Sequence, residues 1–257
     1  MPKESVQKTF LYNAHGHALS GHIRRPIDHV IEVQACSSLP TTGGYGGSRV
    51  DNFQLPRLVS FKSGQSVVSG TQNPGDGSYT TLVAATIEGL NILDVVTADR
   101  VVARLSSIYT LKGDEPSIIT IGSEFENLRI AGHPVQVELD HEFFLKADTF
   151  AKITKELASD AGFRKIAEDP FHTGHSQKLP KPPGAVICSL VKNLPTCPGV
   201  THKGNVYVIP QFGKVFVAEV ITQHAQRTLT MLRLELGSPV SGTLVAAQIV
   251  GNGTTYP

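Results

Sequence analysis

The stretch YTTLVAATIEG (Tyr79–Gly89) decides the fold class, because its apolar residues recur at every second position. Successive side chains of a β-strand point to opposite faces, so this spacing places the apolar side chains on one face. RVVARLSS (Arg100–Ser107) has the same period, with Val101, Ala103 and Leu105 on one face. Both stretches are typical of strands that bury one face and expose the other.

Similar apolar runs occur along the rest of the chain, and turn clusters such as NPGDG (Asn73–Gly77) separate them. The runs are HVIEVQAC (His29–Cys36), LVSF (Leu58–Phe61), SIITIG (Ser117–Gly122), PVQVELD (Pro134–Asp140), VICSLV (Val186–Val191), VYVI (Val206–Ile209), KVFVAEVIT (Lys214–Thr222), TLTMLRLEL (Thr228–Leu236) and TLVAAQIV (Thr243–Val250). Many short strands with turns between them predict an all-β fold, a mainly antiparallel sandwich or barrel.

One segment has the period of a helix instead. In DTFAKITKELASDAG the apolar residues recur at three- and four-residue intervals, which predicts one inserted α-helix at about 148–161. Asp148 is the expected N-cap and Gly162 the expected C-terminal stop. The following residues, rich in Pro, Gly and His, indicate an extended loop. Because strands resume at Val186, we expect a single β-rich domain over 1–257 with a helix-plus-loop insertion at about 145–185, rather than two domains.

Charge and hydropathy exclude several classes of protein. The chain has 23 Lys and Arg against 22 Asp and Glu, a net charge of +1, and lacks the basic surface of a nucleic-acid-binding protein. Its longest weakly polar stretch (Leu82–Ala98) contains Glu88 and Asp94, so no transmembrane segment is expected. The first residues have no pattern of a secretory signal, which by default predicts a cytoplasmic location.

Histidines near the N-terminus are the strongest candidate for a chemical site. AHGHALSGH contains His15, His17 and His22, and on a strand the first two project to the same face, where they could bind zinc or iron. The alternative is a bulged or edge segment whose histidines simply face solvent, which Gly16 and Gly21 also favour. A second pair, His172 and His175 in FHTGH, is a weaker metal candidate. No catalytic residue is predicted.

Other motifs are less informative. Glycine-rich TTGGYGGSR (Thr41–Arg49) lacks the lysine and helix of a phosphate-binding loop and is interpreted as a flexible connection between strands. The three cysteines are Cys36, Cys188 and Cys197. They are interpreted as small buried residues, although the last two could form a disulfide in an oxidising compartment, or a cysteine could serve as metal ligand or nucleophile.

Four segments resemble bacterial choice-of-anchor domains in their order along the chain. They are VVTADRVVARLSS (Val95–Ser107), FENLRIAGHPVQVEL (Phe125–Leu139), VIPQFGKVFVAEVI (Val208–Ile221) and LTMLRLELGSPVSGTLVAAQI (Leu229–Ile249). The resemblance implies a β-rich protein displayed at a cell surface, with a structural or adhesive role and no catalytic residues to assign.

Three functional hypotheses follow from these observations. The leading one is a non-enzymatic structural or interaction protein that acts through β-sheet self-association or surface contacts, with copies of itself as the expected partner and no cofactor. The first alternative is a metal-dependent β-barrel enzyme or binder that uses the N-terminal histidines and zinc or iron. The second is a barrel that binds a small hydrophobic ligand, with the helix as its lid.

Overall fold

Strands account for most of the chain, as the period-two pattern predicts. The computed structural model describes residues 9–167 and 184–256. Its strands in chain order are β1 (Thr9–Tyr12), β2 (His15–Arg25), β3 (His29–Gln34), β4 (Ser37–Ser38), β5 (Gly44–Leu55), β6 (Val59–Gln72), β7 (Tyr79–Ile92), β8 (Val96–Tyr109), β9 (Ser117–Ile119), β10 (Glu124–Glu126), β11 (Arg129–Ile130), β12 (His133–Pro134), β13 (Glu138–Leu139), β14 (Ala185–Ser189), β15 (Val191–Asn193), β16 (Thr201–Lys203), β17 (Val206–Ile209), β18 (Gly213–Gln223), β19 (Gln226–Leu236) and β20 (Ser241–Tyr256). Three helices lie between β13 and β14: α1 (His141–Lys146), α2 (Phe150–Ser159) and α3 (Ala161–Ala167).

The strands form two large antiparallel sheets. One sheet follows the order β16-β17-β18-β19-β20-β2-β3, with β1, β4 and β14 as additional strands, and we call it the ten-stranded sheet. The eight-stranded sheet follows the order β12-β11-β8-β7-β6-β5, with β9 and β10 beside β8, and β13 pairs separately with β15. Both orders have free ends within the described residues. The predicted all-β fold is confirmed, and of its two alternatives, sandwich or barrel, the sheets form the sandwich.

The core lies between the two sheets. Strand β20 packs against β7 and β8, and β2 packs against β6 and β7. Val83 and Leu105, which the period-two pattern placed on the buried faces of β7 and β8, are 0% and 1% exposed. A Cβ atom added to Gly251 of β20 would lie 3.3 Å from the Leu105 Cβ, so glycine allows the sheets to approach closely here.

Each sheet contains one row of residues at which the inward and outward alternation of side chains reverses. In the ten-stranded sheet four strands each place two consecutive residues in the core at this row: Ala18–Leu19, Val217–Ala218, Met231–Leu232 and Ala246–Ala247. Ala218 and Ala247, on alternate strands, have positive φ angles of 49° and 51°. In the eight-stranded sheet the corresponding positive-φ residues are Asn52 and Gly89. We call these two features the reversal rows.

Most predicted strands are confirmed, and the residues VYVI coincide with β17. PVQVELD was wrong as a strand, because only Pro134 and then Glu138–Leu139 form short pairings. Thr41–Arg49 was wrong as a flexible connection, since most of it lies in β5. HVIEVQAC forms β3, but Val33 is 52% exposed and does not share the buried side of Ile31.

The helical insertion differs in detail from the prediction. Three short helices replace the single one expected at about 148–161, and Gly162 lies inside α3 rather than at a helix end. Thr149, not Asp148, is the N-cap of α2, and the Glu115 carboxylate accepts hydrogen bonds from the Phe150 and Ala151 N–H groups (2.8 and 2.9 Å). The predicted loop falls mostly on residues 168–183, outside the described residues. None of the helices in the described ranges has the length and apolarity needed to span a membrane.

Candidate functional site

The N-terminal histidines lie on β2, which is an interior strand of the ten-stranded sheet. Its neighbours are β20 on one side and β3 and β4 on the other, and its pairing register shifts between Leu19 and Gly21 and between Ile23 and Arg25. Of the predicted bulged or edge segment, the structure therefore has the bulged form. His15 and His17 face outward together, as strand alternation predicts. His22 lies five residues further along, about 16 Å at the rise of a strand, and the structure does not bring it to the other two.

Hydrogen bonds already engage two of these rings. The His17 Nε2 lies 2.9 Å from the Ser20 hydroxyl, and the His22 Nε2 lies 2.5 Å from an Asp28 carboxylate oxygen. Burial, and secondarily the nearby charge of His15, lowers the pKa of His17 from 6.5 to about 4. The ring is therefore neutral near neutral pH.

The described residues do not complete a metal site around these histidines. Among residues 9–167 and 184–256 no three His, Cys, Asp or Glu side chains are grouped so that they could hold a metal ion. Zinc sites in proteins use at least three protein ligands, which His15 and His17 alone do not supply. The weaker candidates His172 and His175 lie outside the described residues.

A buried arginine is the polar feature that sequence reasoning missed. Arg227 of β19 is 0% exposed, and its guanidinium donates to the Ile118 carbonyl and, at 3.1 Å, to the Ala147 carbonyl. It also lies 5.0 Å from the centre of the Phe144 ring. Burial lowers its pKa to about 10. Arg227 thus joins the ten-stranded sheet to α1 and β9.

A sequence signal for this arginine existed. Arg227 precedes the buried Leu229 by two residues, so strand alternation places both on the same face. The Arg227 Nε and the hydroxyl of Thr222, its partner across the strand pair, are buried and have no hydrogen-bond partner among the described residues. The arrangement anchors the insertion, and we assign it no chemical step.

The three cysteines are free thiols. Cys188 and Cys197 are buried, as expected, whereas Cys36 is exposed. Burial raises the pKa of Cys188 to about 12, so its thiol stays protonated near neutral pH. A disulfide between Cys188 and Cys197, left open by the sequence, is not formed.

Two cavities of the described part of the chain lie at turns. One of about 640 Å³ is lined by residues of two hairpin ends, including Ile209, Pro210 and Pro239. Another, of about 200 Å³, lies at the turn before Val59 and the turn beside Asp94. Neither resembles the enclosed interior that the hydrophobic-ligand hypothesis requires.

Strands β3 and β5 each end one of the two sheets of the sandwich. Strand β5 ends the eight-stranded sheet, and among the described residues it pairs only with β6. It is 12 residues long and none of its residues is buried. Strand β3 ends the ten-stranded sheet, and Val30 is 63% exposed on it. We call these two strands the open edges.

Both open edges lie on the same side of the molecule. Strand β2, the neighbour of β3, packs over β6, the neighbour of β5. The Ser66 hydroxyl of β6 lies 2.6 Å from the Ala35 carbonyl oxygen and 2.7 Å from the Ser37 hydroxyl, at the end of β3. The chain then passes directly from β4 to β5. Within residues 9–167 and 184–256, one side of the sandwich therefore presents two unpaired strand edges together.

Fold and surface define the class as an antiparallel β-sandwich with a short helical insertion and two open edges. A family model described as a domain of unknown function, DUF8256, matches residues 10–223 of the chain. The chain belongs to this family. The match ends at the last residue of β18, although β19 and β20 lie in the middle of the same sheet. No curated protein and no solved structure matches the chain.

Proposed function

We propose that the protein is a non-enzymatic structural or interaction protein that associates with copies of itself through its open edges. The observation that carries this proposal is β5, an edge strand of 12 residues, none of which is buried. An edge strand presents a row of N–H and C=O groups that another strand can pair. Association through β5 would satisfy these groups and remove one open edge from each copy.

The residues of β5 support the proposal. Proteins commonly protect an exposed edge with lysine, proline or a very short strand. GYGGSRVDNFQL contains neither lysine nor proline, and its two charged residues, Arg49 and Asp51, form an ion pair with each other at 2.9 Å. A net charge of +1 adds little repulsion between copies.

The second open edge supports association on the same side of the molecule. Three apolar side chains on or beside β3, Ile27, Val30 and Val33, are between 51% and 63% exposed. A partner copy seated on this side would cover apolar surface as well as pair strands. The resemblance to choice-of-anchor domains extends the proposal to display at a cell surface, where such contacts would be adhesive.

Light scattering coupled to size-exclusion chromatography tests the proposal. We expect the purified chain to form a dimer or larger assembly as its concentration rises. Gly47→Lys on β5 places a positive charge on the edge, and we expect it to shift the protein toward monomer. Ile108→Lys is the matched control, because Ile108 is also exposed but lies on β8, which is paired on both sides.

A chain that stays monomeric at the highest concentration reached would overturn the proposal. Equal effects of Gly47→Lys and Ile108→Lys on assembly would show that association does not use the β5 edge. Circular dichroism of both variants confirms that a change in mass does not come from unfolding.

A further inference from the structure

The regular part of β5 is short and well defined. Gly44 has a φ angle of 110°, and the side-chain alternation reverses at Asn52, whose φ angle is 57°. Between them, Tyr45–Asp51 alternates without interruption, and its odd-numbered residues are the more exposed ones. Only these seven residues can continue a regular antiparallel ladder onto a second strand.

Symmetry restricts how β5 can pair with itself. Opposite residues of an antiparallel pair have their side chains on the same face of the sheet. A two-fold axis perpendicular to the sheet must therefore lie midway between one residue and the same residue of the other copy, and we name each axis by that residue. An axis through Ser48, the midpoint of the regular stretch, pairs all seven residues. An axis through Gly47 pairs five, and an axis through Val50 pairs three.

The charges of Arg49 and Asp51 exclude two of the possible axes. An axis through Arg49 would place two arginines directly opposite each other, and an axis through Asp51 would oppose two aspartates, both of which are destabilising. An axis through Ser48 places Arg49 opposite Gly47 and Asp51 opposite Tyr45. Neither pair opposes like charges. Within one copy the Tyr45 hydroxyl lies over Gly47, 3.4 Å from where a Cβ would be, so Arg49 of the second copy would lie beside the Tyr45 side chain, which is 72% exposed in the single copy.

We propose that two copies pair through β5 in antiparallel orientation about a two-fold axis at Ser48, which joins their eight-stranded sheets into one continuous sheet. This inference rests on the proposed self-association and adds its symmetry and register. Seven paired residues would contribute about six to eight new backbone hydrogen bonds, since alternate pairs of an antiparallel ladder exchange two each.

Cysteine crosslinking tests the register. In a Cys36→Ser background, which removes the exposed thiol, Ser48→Cys would face its own copy with Cα atoms about 4.5–5.5 Å apart, within the range of a disulfide. We expect mild oxidation to double the apparent mass on a non-reducing gel, and reduction to reverse it. Arg49→Cys is the control, because its two copies would be about 8 Å apart, too far to bridge.

A mixture of two cysteine variants gives a second test, in which the proposed register predicts that a disulfide forms. Gly47→Cys and Arg49→Cys lie opposite each other in the proposed register, so the mixed proteins should form a linked heterodimer while neither links efficiently to itself. Self-linking of Gly47→Cys or Val50→Cys in place of Ser48→Cys would overturn the register and leave self-association standing. A monomer in light scattering, with no link at any of these positions, would overturn both.

Discussion

The half-buried His17 should make the stability of this protein depend on pH between about 4 and 6.5. Its pKa is 6.5 in an ordinary setting and about 4 in the folded chain, because burial and the neighbouring His15 disfavour the charged ring. In this interval the unfolded chain binds a proton that the folded chain does not. The folded state therefore has its full stability above pH 6.5 and loses stability as the pH falls toward 4.

The size of the effect follows from the difference between the two pKa values. It corresponds to at most about 3 kcal/mol at 1.36 kcal/mol per pH unit. Because the ring retains some contact with solvent, which screens charge, we expect about 1–2 kcal/mol. This loss is superimposed on the titration of the carboxylates, so it must be measured as a difference between variants.

Urea unfolding of the wild type and His17→Gln at pH 7.5 and pH 4.5 isolates the contribution of His17. Glutamine keeps a polar group near the Ser20 hydroxyl, which lies 2.9 Å from the His17 Nε2, but does not titrate. The variant should lose about 1–2 kcal/mol less than the wild type on acidification. His224→Gln, at an exposed turn, is the control and should behave as the wild type. Identical acid sensitivity of His17→Gln and the wild type would refute the reasoning.

Substitutions at Arg227, Leu105 and Gly213, two of them with comparison variants, test the packing. Arg227→Ala removes the donor to the Ile118 and Ala147 carbonyls and leaves a cavity, so urea unfolding should show a loss of about 3–5 kcal/mol, part of which Arg227→Lys recovers. Leu105→Ala, at a side chain 1% exposed between the sheets, should cost about 2–5 kcal/mol in the same assay. Gly213→Ala should lower the melting temperature, because a Cβ there would lie 2.0 Å from the Glu235 carbonyl oxygen, whereas Gly184→Ala, with no atom within 4 Å, should not.

The all-β fold could be predicted because long strands such as β6, β7 and β8 bury one face against the other sheet, which imposes a period of two on the sequence. The two-residue period also occurs at Pro134–Asp140, but the strand that it predicted there does not form. Val135 is buried and Val137 packs against the core, so the burial pattern is real, but the segment forms almost no strand pairing. Alternation therefore reports which side chains are covered, and it does not by itself report a hydrogen-bonded ladder.

Other features had weak or misleading sequence signals. The glycines of β5 suggested a flexible connection, because glycine is depleted in strands, yet every residue of β5 except Asn52 pairs with β6. The shared outward face of His15 and His17 was predictable from local geometry. The separation of His22 from them, and the contact between Arg227 and the α1 segment, depend on distant parts of the chain.

The reversal rows constrain how the sheets can assemble during folding. In a uniform strand, a slip of two residues against its neighbour returns apolar side chains to the core and is hard to reject. Here a slip of two residues would move two residues of a strand past the reversal row. Their side chains would then point to the wrong face of the sheet. Misaligned pairings are thus penalised at the centre of both sheets, so deletions or insertions within these strands should be tolerated far less than changes in the turns.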